Sequence, residues 1–435
     1  MAQLVEGPSD LAKNVEDVLE SNPSIVDQNF VEQFDNLYKG PLQNSDFKSK
    51  KMVIVIDALD ECDSKTEISN LLEELSKPLY YKQNGKDTPV KYFLTGRHGG
   101  HSLSQDQIKN CHNRDLEDLT KETIRDDIES FLKFRLQRVP RLWENDEDPW
   151  ANAKNVDTLG QLVTKACPLF EFAATACRLI EDDDLPEDPR SRLLDILATK
   201  CNGDLDHLYR TVLNKRFRSS NDNIAPPRQK QVEDQFRRVI GSVMSLADPV
   251  SASCLAHLLG EKKSTVDDEL RHFKSVLDIP SNDDGVIKIF HESFRDFFHG
   301  SAQGEFGLDE RKTHENLALR CRVLLCGKDG NKDALRKNFC ELESPGAYRR
   351  EIPEEVLCES ISPEIQYACR FWVHHLKNSN DKIKDNDAWY QLLYKHFLHW
   401  LEALGLLGRI LESVQSVREL QTLVEVSCDA LFDVI

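Results

Sequence analysis

The chain has 435 residues, 40% hydrophobic and 30% charged, which is material for about three globular domains with cores of their own. Its net charge of −19 excludes general binding to DNA, RNA or anionic lipid, because the cations that would neutralise phosphate are in deficit. No run approaches the ~18 apolar residues of a membrane helix, and the opening MAQLVEGPSDLAKN has neither the basic region nor the apolar core of a signal peptide. Its 12 cysteines are scattered without a CxxC pair, Cys321 to Cys326 being the closest spacing. They imply neither a zinc site nor a disulfide framework, and a reduced, cytoplasmic protein is expected.

Residues 1–48 read as helical and solvated, with Leu11, Val15, Val18 and Leu19 on one helical face and a second pattern through Phe30, Phe34 and Leu37. Then comes KKMVIVIDALDEC, Lys50 to Cys62. The apolar run Met52 to Ile56 stands between two lysines and an acidic cluster, which predicts a short strand buried on both faces. Asp57 closes the strand at its C-terminal end, where open α/β sheets hold ligands. A carboxylate there can hold Mg²⁺ against a nucleotide, and a following acid, Asp60 or Glu61, can polarise an attacking water. The plainer reading is a buried strand that meets water with a few acids. Ser64-Lys65-Thr66-Glu67 is a capping box opening a helix to about Leu75. A second buried strand, Val90 to Thr95, ends in Gly96-Arg97, where the guanidinium either reaches a terminal phosphate or is a solvated strand end.

From Thr120 the chain turns helical. Ile124, Ile128, Phe131, Leu132, Leu136 and Val139 mark one face of a helix capped by Thr120. Leu159 to Ile180 is a second, interrupted at Pro168; an acidic linker, Glu181 to Pro189, and helices at about Arg190–Lys200 and Leu205–Phe217 follow. The polar segment SSNDNIAPPRQK marks a domain boundary. Between 230 and 300, a helix to Leu246, a short one capped by Ser251 and stopped at Gly260, and a third capped by Ser264 lead to two strands, Val276–Ile279 and Val286–Phe290. Three helices and a hairpin make a winged helix, and Asp267, Asp268 and Glu269 on its third helix argue against DNA binding. Helices are then expected around Thr313–Leu325, Ile361–Leu376 and Trp389–Leu423, the last broken near Gly405 and Gly408. It carries a broad apolar stripe through Phe397, Trp400, Leu401, Leu404, Leu407, Ile410 and Leu411, which either folds back on the preceding helices or stays exposed for association.

In these stretches the sequence resembles the NACHT-type signalling NTPases of the STAND class, and the fungal proteins that follow such a module with a WD-repeat propeller. VIVIDALDEC resembles Walker B, KYFLTGR sensor 1, and ACPLFEFAATACRLIE the lid-helix motif; IFHESFRDFF, YACRFWVHHL and KHFLHWLEALGLLGRI follow in the family's order, from about residue 10 to 420. The resemblance implies an α/β plus mostly α fold: a partial P-loop NTPase α/β core at 1–118, a helical lid domain at 119–222, a winged helix at 223–302 and a C-terminal helical region at 303–435. It implies ATP or ADP with Mg²⁺ as cofactors. Asp57 would be the metal-associated carboxylate, Asp60 and Glu61 the water-activating acids, and Arg97 the sensor of the terminal phosphate. Pro168 would pack near the adenine, although Cys167 and Ala166 stand where the lid motif usually has glycine, and His291 would contact the β-phosphate of ADP or be a satisfied structural histidine.

No G-x-x-x-x-G-K-[ST] precedes the Asp57 strand; Gly7 and Gly40, the nearest glycines, lack a following Gly-Lys-Ser. Without the backbone N–H groups and lysine of that loop, a metal at Asp57 has nothing to bridge. The expectation is a core lacking both the phosphate-binding strand, which would leave an unpaired edge on the Val90–Thr95 strand, and the propeller. The function expected is that of a degenerate, non-catalytic signalling NTPase module acting by protein–protein association, with intact NACHT relatives or with itself, in an innate-immunity-like or self/non-self recognition pathway. The alternative is an ATPase switch whose P-loop is supplied in trans or by an unrecorded N-terminal segment.

Overall fold

In the computed structural model the protein is mostly helical with a few short strands. The structure describes residues 9–22, 25, 28–45, 52–59, 65–83, 85–96, 112, 120–143, 153–198, 204–218, 226–300, 306–327, 334–342, 349 and 352–424. They fall into two compact units, Met1–Asp118 and Leu119–Ile435.

In the first unit, α1 (Ser9–Ser21) is followed by α2 (Phe30–Gln33), a π-helical turn (Phe34–Lys39) and α3 (Gly40–Asn44). The widened turn has a local cause. Pro41 has no N–H to donate, and its ring would crowd the carbonyl four residues back. This N-terminal part is not solvated as expected: Leu11 and Leu42 are fully buried and join Val15, Tyr38, Ile54 and Leu79 in one core. The strands β1 (Val53–Ile56), β2 (Tyr80–Gln83), β3 (Lys86–Pro89) and β4 (Lys91–Leu94) flank α4 (Lys65–Ser76). β1 and β4 are parallel, with Val53 opposite Lys91 and Ile56 opposite Leu94; among the described residues each has the other as its single ladder partner.

The expectation that these strands are buried on both faces is wrong. Ile54 faces the core, whereas Val53, Val55 and Phe93 are 56, 62 and 59% exposed on the opposite face. An unbroken apolar run does not say which side receives a helix; α1 and α3 supply apolar cover to the Ile54 side alone. The β2–β3 hairpin, paired Gln83 to Lys86, was not expected at all. Its signal is Asn84-Gly85 between the strands, and Gly85 sits at φ +74, the left-handed backbone such turns require.

The second unit is built around one continuous apolar core running from Ile128 to Val424. α5 (Lys121–Leu136) is capped by Thr120, whose hydroxyl accepts from the Thr123 N–H at 3.2 Å. α6 (Ala153–Ala166) and α7 (Phe170–Glu181) are separated at Pro168, as the proline demands. α8 (Pro189–Ala198) and α9 (Leu205–Arg218) lead to α10 (Pro226–Ser245), α11 (Ala252–Leu259) and α12 (Lys263–Leu270). Ser251 caps α11, and Gly260 ends it at φ +67, where a Cβ would also strike the Arg320 guanidinium. α12 begins one residue before the expected cap, at Lys263, with no side-chain cap from Lys262.

Two short strands, β5 (Leu277–Asp278) and β6 (Lys288–Ile289), form an antiparallel hairpin, and Val286 adds a bridge to Ser251. After α13 (Ser293–His299) come α14 (Glu310–Cys326), α15 (Glu354–Ser360), α16 (Pro363–Asn378), α17 (Ala388–Leu406) and α18 (Ile410–Leu423). The break between the last two falls at Gly408, φ +69. The apolar stripe of α17 folds back: Trp400 and Leu404 are buried, and Trp400 Nε1 donates to the Cys369 carbonyl of α16 at 2.7 Å.

Candidate functional site

Two sets of sequence-derived candidates lie in different units. In the first unit, Asp57 follows β1 as expected and is exposed. Its Oδ1 accepts a hydrogen bond from the Thr95 hydroxyl, just beyond β4. Thr95 Oγ1 also accepts the Ala58 N–H at 2.9 Å, and the Leu59 N–H donates to the Thr95 carbonyl at 3.0 Å. Ala58 is thereby held at φ +54, a left-handed backbone that alanine rarely adopts. The parallel register of β1 and β4 places Asp57 and Thr95 side by side at the C-terminal sheet edge, the place where such sheets present ligand groups. Thr95 is the residue the sequence reading missed; the threonine closing KYFLT was its signal. Asp60, Glu61 and Arg97, like the Ser64 cap, lie outside the described residues.

In the second unit, Pro168 is exposed at the turn before α7, and His291 follows β6. Arg178 of α7 ties the two regions together. Its Nε donates to the Ser275 carbonyl at 2.8 Å, and its guanidinium lies 4.1 Å from the centre of the Phe290 ring, next to His291. Its Nη2 donates to Glu171 Oε1 at 2.5 Å and to Thr175 Oγ1 at 2.7 Å, so one arginine clasps both α7 and the hairpin. His291 Nδ1 accepts the Ser293 N–H at 3.2 Å and lies 2.6 Å from Ser293 Oγ, which is 2.7 Å from Tyr209 Oη. Burial pushes the Tyr209 hydroxyl up to about 12, so it stays protonated and can donate. In that chain Nδ1 accepts, which puts the ring proton of a neutral His291 on Nε2. The histidine is thus a satisfied structural group on one nitrogen and a donor on the other.

The acidic α12 is less exposed in its charge than the sequence implies. Asp267 pairs with Lys263 at 3.0 Å and Asp268 with Arg271 at 2.9 Å, while Glu269 is fully buried against Arg216 of α9 in a two-bond pair at 3.1 and 2.7 Å.

The family model described as "Nephrocystin 3, N-terminal" matches residues 1–97, the stretch that ends just after β4. The chain is similar to the vegetative incompatibility protein HET-E-1 of Podospora anserina, 21% identical over 391 residues, which cover 85% of this chain and 26% of that protein. The chain therefore spans about a quarter of the length of this curated relative. A likeness of 391 residues is too long to be confined to either unit and runs through both.

Proposed function

We propose that the chain is a NACHT-type signalling module that acts by associating with other protein chains rather than by hydrolysing nucleotide on its own. The observation that supports this best is the likeness to a vegetative incompatibility protein over 85% of the chain. That relative is named a vegetative incompatibility protein, and for this chain the reading assigns a role in self/non-self recognition, with intact relatives or a second copy of itself as partners. The reading divides the chain into a partial α/β core at 1–118, a lid region at 119–222, a winged helix at 223–302 and a C-terminal helical region at 303–435. A cytoplasmic place goes with it; among the described residues no helix is long and apolar enough to cross a membrane.

The donors in this chain do not fit a tightly held ATP–Mg²⁺. Asp57 offers one carboxylate whose Oδ1 is already engaged by Thr95, and nowhere do the 435 residues contain G-x-x-x-x-G-K-[ST] to cradle phosphates. No hydrolytic step is therefore assigned to Asp60, Glu61 or Arg97. Calorimetry with ATP–Mg²⁺ on the 435-residue polypeptide is expected to give a dissociation constant of ~1 mM or worse, about −4 kcal/mol. Low-micromolar binding would overturn this reading in favour of a nucleotide switch using Asp57, Pro168 and His291.

A further inference from the structure

We propose that His314, His374 and His375 form a binding site for a divalent transition-metal ion of the zinc class, clamping α14 to α16. One ring nitrogen from each histidine lies within 4.8 Å of the others. His314 Nδ1 and His375 Nδ1 are only 2.8 Å apart, and the ring centres of the trio are 5.1 to 5.7 Å from one another. Zinc–nitrogen bonds of ~2.0–2.1 Å in a tetrahedral site place ligand nitrogens ~3.4 Å apart, so the close pair has to open by roughly half an ångström to admit the ion.

On two of the rings, His375 and His314, the Nε2 side already faces an oxygen of the kind that orients metal-bound histidines. His375 Nε2 is 2.8 Å from Tyr367 Oη, which accepts the Ala247 N–H at 3.1 Å. His314 Nε2 is 3.9 Å from Glu310 Oε1, whereas His374 Nε2 lies 3.2 Å from Asn378 Nδ2, an amide nitrogen that donates to it. In the metal-free protein the two facing Nδ1 atoms share a single proton, because one neutral imidazole must donate and the other accept. The ion takes the place of that proton, which moves to the Nε2 of the same ring, where Tyr367 Oη or the Glu310 carboxylate receives it; no proton leaves the site. Three imidazoles select zinc, nickel or copper over magnesium or calcium, which need oxygen donors.

The test uses the full chain freed of metal by a chelator and titrated with Zn²⁺ against a colorimetric zinc indicator, with Co²⁺ absorption as the report of a nitrogen-only site. One ion per chain is expected to bind and to raise the melting temperature. His374→Ala changes an exposed residue, so the apo melting temperature should hold while zinc affinity falls by at least the ~10–100-fold that loss of even an outer partner costs. His314→Gln, in the buried layer, is the second variant and should act in the same direction. Zinc binding unchanged in His374→Ala, or a cobalt spectrum with thiolate charge-transfer bands, would overturn the proposal and move the metal to cysteines. Absence of any zinc-dependent rise in melting temperature would overturn it as well.

Discussion

Position along β1 decides what a residue does more than its chemistry does. Ile54 and Asp57 are three residues apart, yet one is 7% exposed in the core and the other stands in solvent at the strand end. Ile54→Asp places an uncompensated charge in the core and is expected to unfold the first unit, a loss of about 4 kcal/mol or more. Asp57→Ala removes one hydroxyl contact and should leave the unit's melting temperature within a few degrees of the parent; equal melting temperatures for the two variants would show the strand to be misplaced. His272 carries a pH dependence. Its burial, with Arg216 and Arg271 beside it and Asp268 and Glu187 opposing them, lowers it from an ordinary 6.5 to about 4. The unfolded chain therefore takes up a proton near pH 6.5 that the folded chain refuses. This contribution to stability is complete above 6.5 and declines as pH falls, by up to ~1.4 kcal/mol per pH unit, until about 4. Chemical denaturation of His272→Gln across that range should show a shallower acid decline than the parent.

Among the elements, α17 settles the question its sequence left open. Trp400 and Leu404 of its stripe are core, Leu404 being 1% exposed, while Ile410, where the stripe enters α18, is 62% exposed and Leu398 on the other side of α17 is 74% exposed. Leu404→Glu is expected to destabilise the second unit by roughly 4 kcal/mol and to abolish a single cooperative transition. Leu398→Glu should change stability by no more than about 0.5 kcal/mol, and the contrast is read directly by thermal melting of the two proteins. The same helix shows why its end was legible. Gly408 takes the left-handed backbone, and the Arg409 N–H reaches back to the Leu404 carbonyl at 2.8 Å, closing α17 by local bonds that a glycine permits.

At the scale of the whole molecule, each unit has its own core, and in the first unit several exposed apolar side chains fall together on one sheet face. The second buries residues from α5 to α18 in one core. Val53, Val55 and Phe93 lie open on one face of the parallel β1–β4 pair, which is two-stranded among the described residues, an arrangement that parallel sheets ordinarily avoid. An exposed apolar face of this kind is consistent with a module that works through partner chains. If it does, light scattering at tens of micromolar should show self-association, or the chain should be retained on an intact relative. A clean monomer with no such retention would remove the association half of the proposed function.

What the amino-acid sequence determined by itself was local. The Thr120 and Ser251 caps, the stops at Pro168, Gly260 and Gly408, and a strand ending at Asp57 all rest on backbone preferences or hydrogen bonds spanning a few residues. Asn84-Gly85 was a signal of the same local kind and marks a hairpin that the apolar pattern alone did not show. Tertiary structure decided the rest. Which face of β1 is covered, that Glu269 is neutralised by Arg216 53 positions away, and that His314 meets His375 across 61 positions depend on which distant segments pack together. No periodicity within a single segment encodes those pairings, because each is fixed by burying the apolar faces of separate helices against one another.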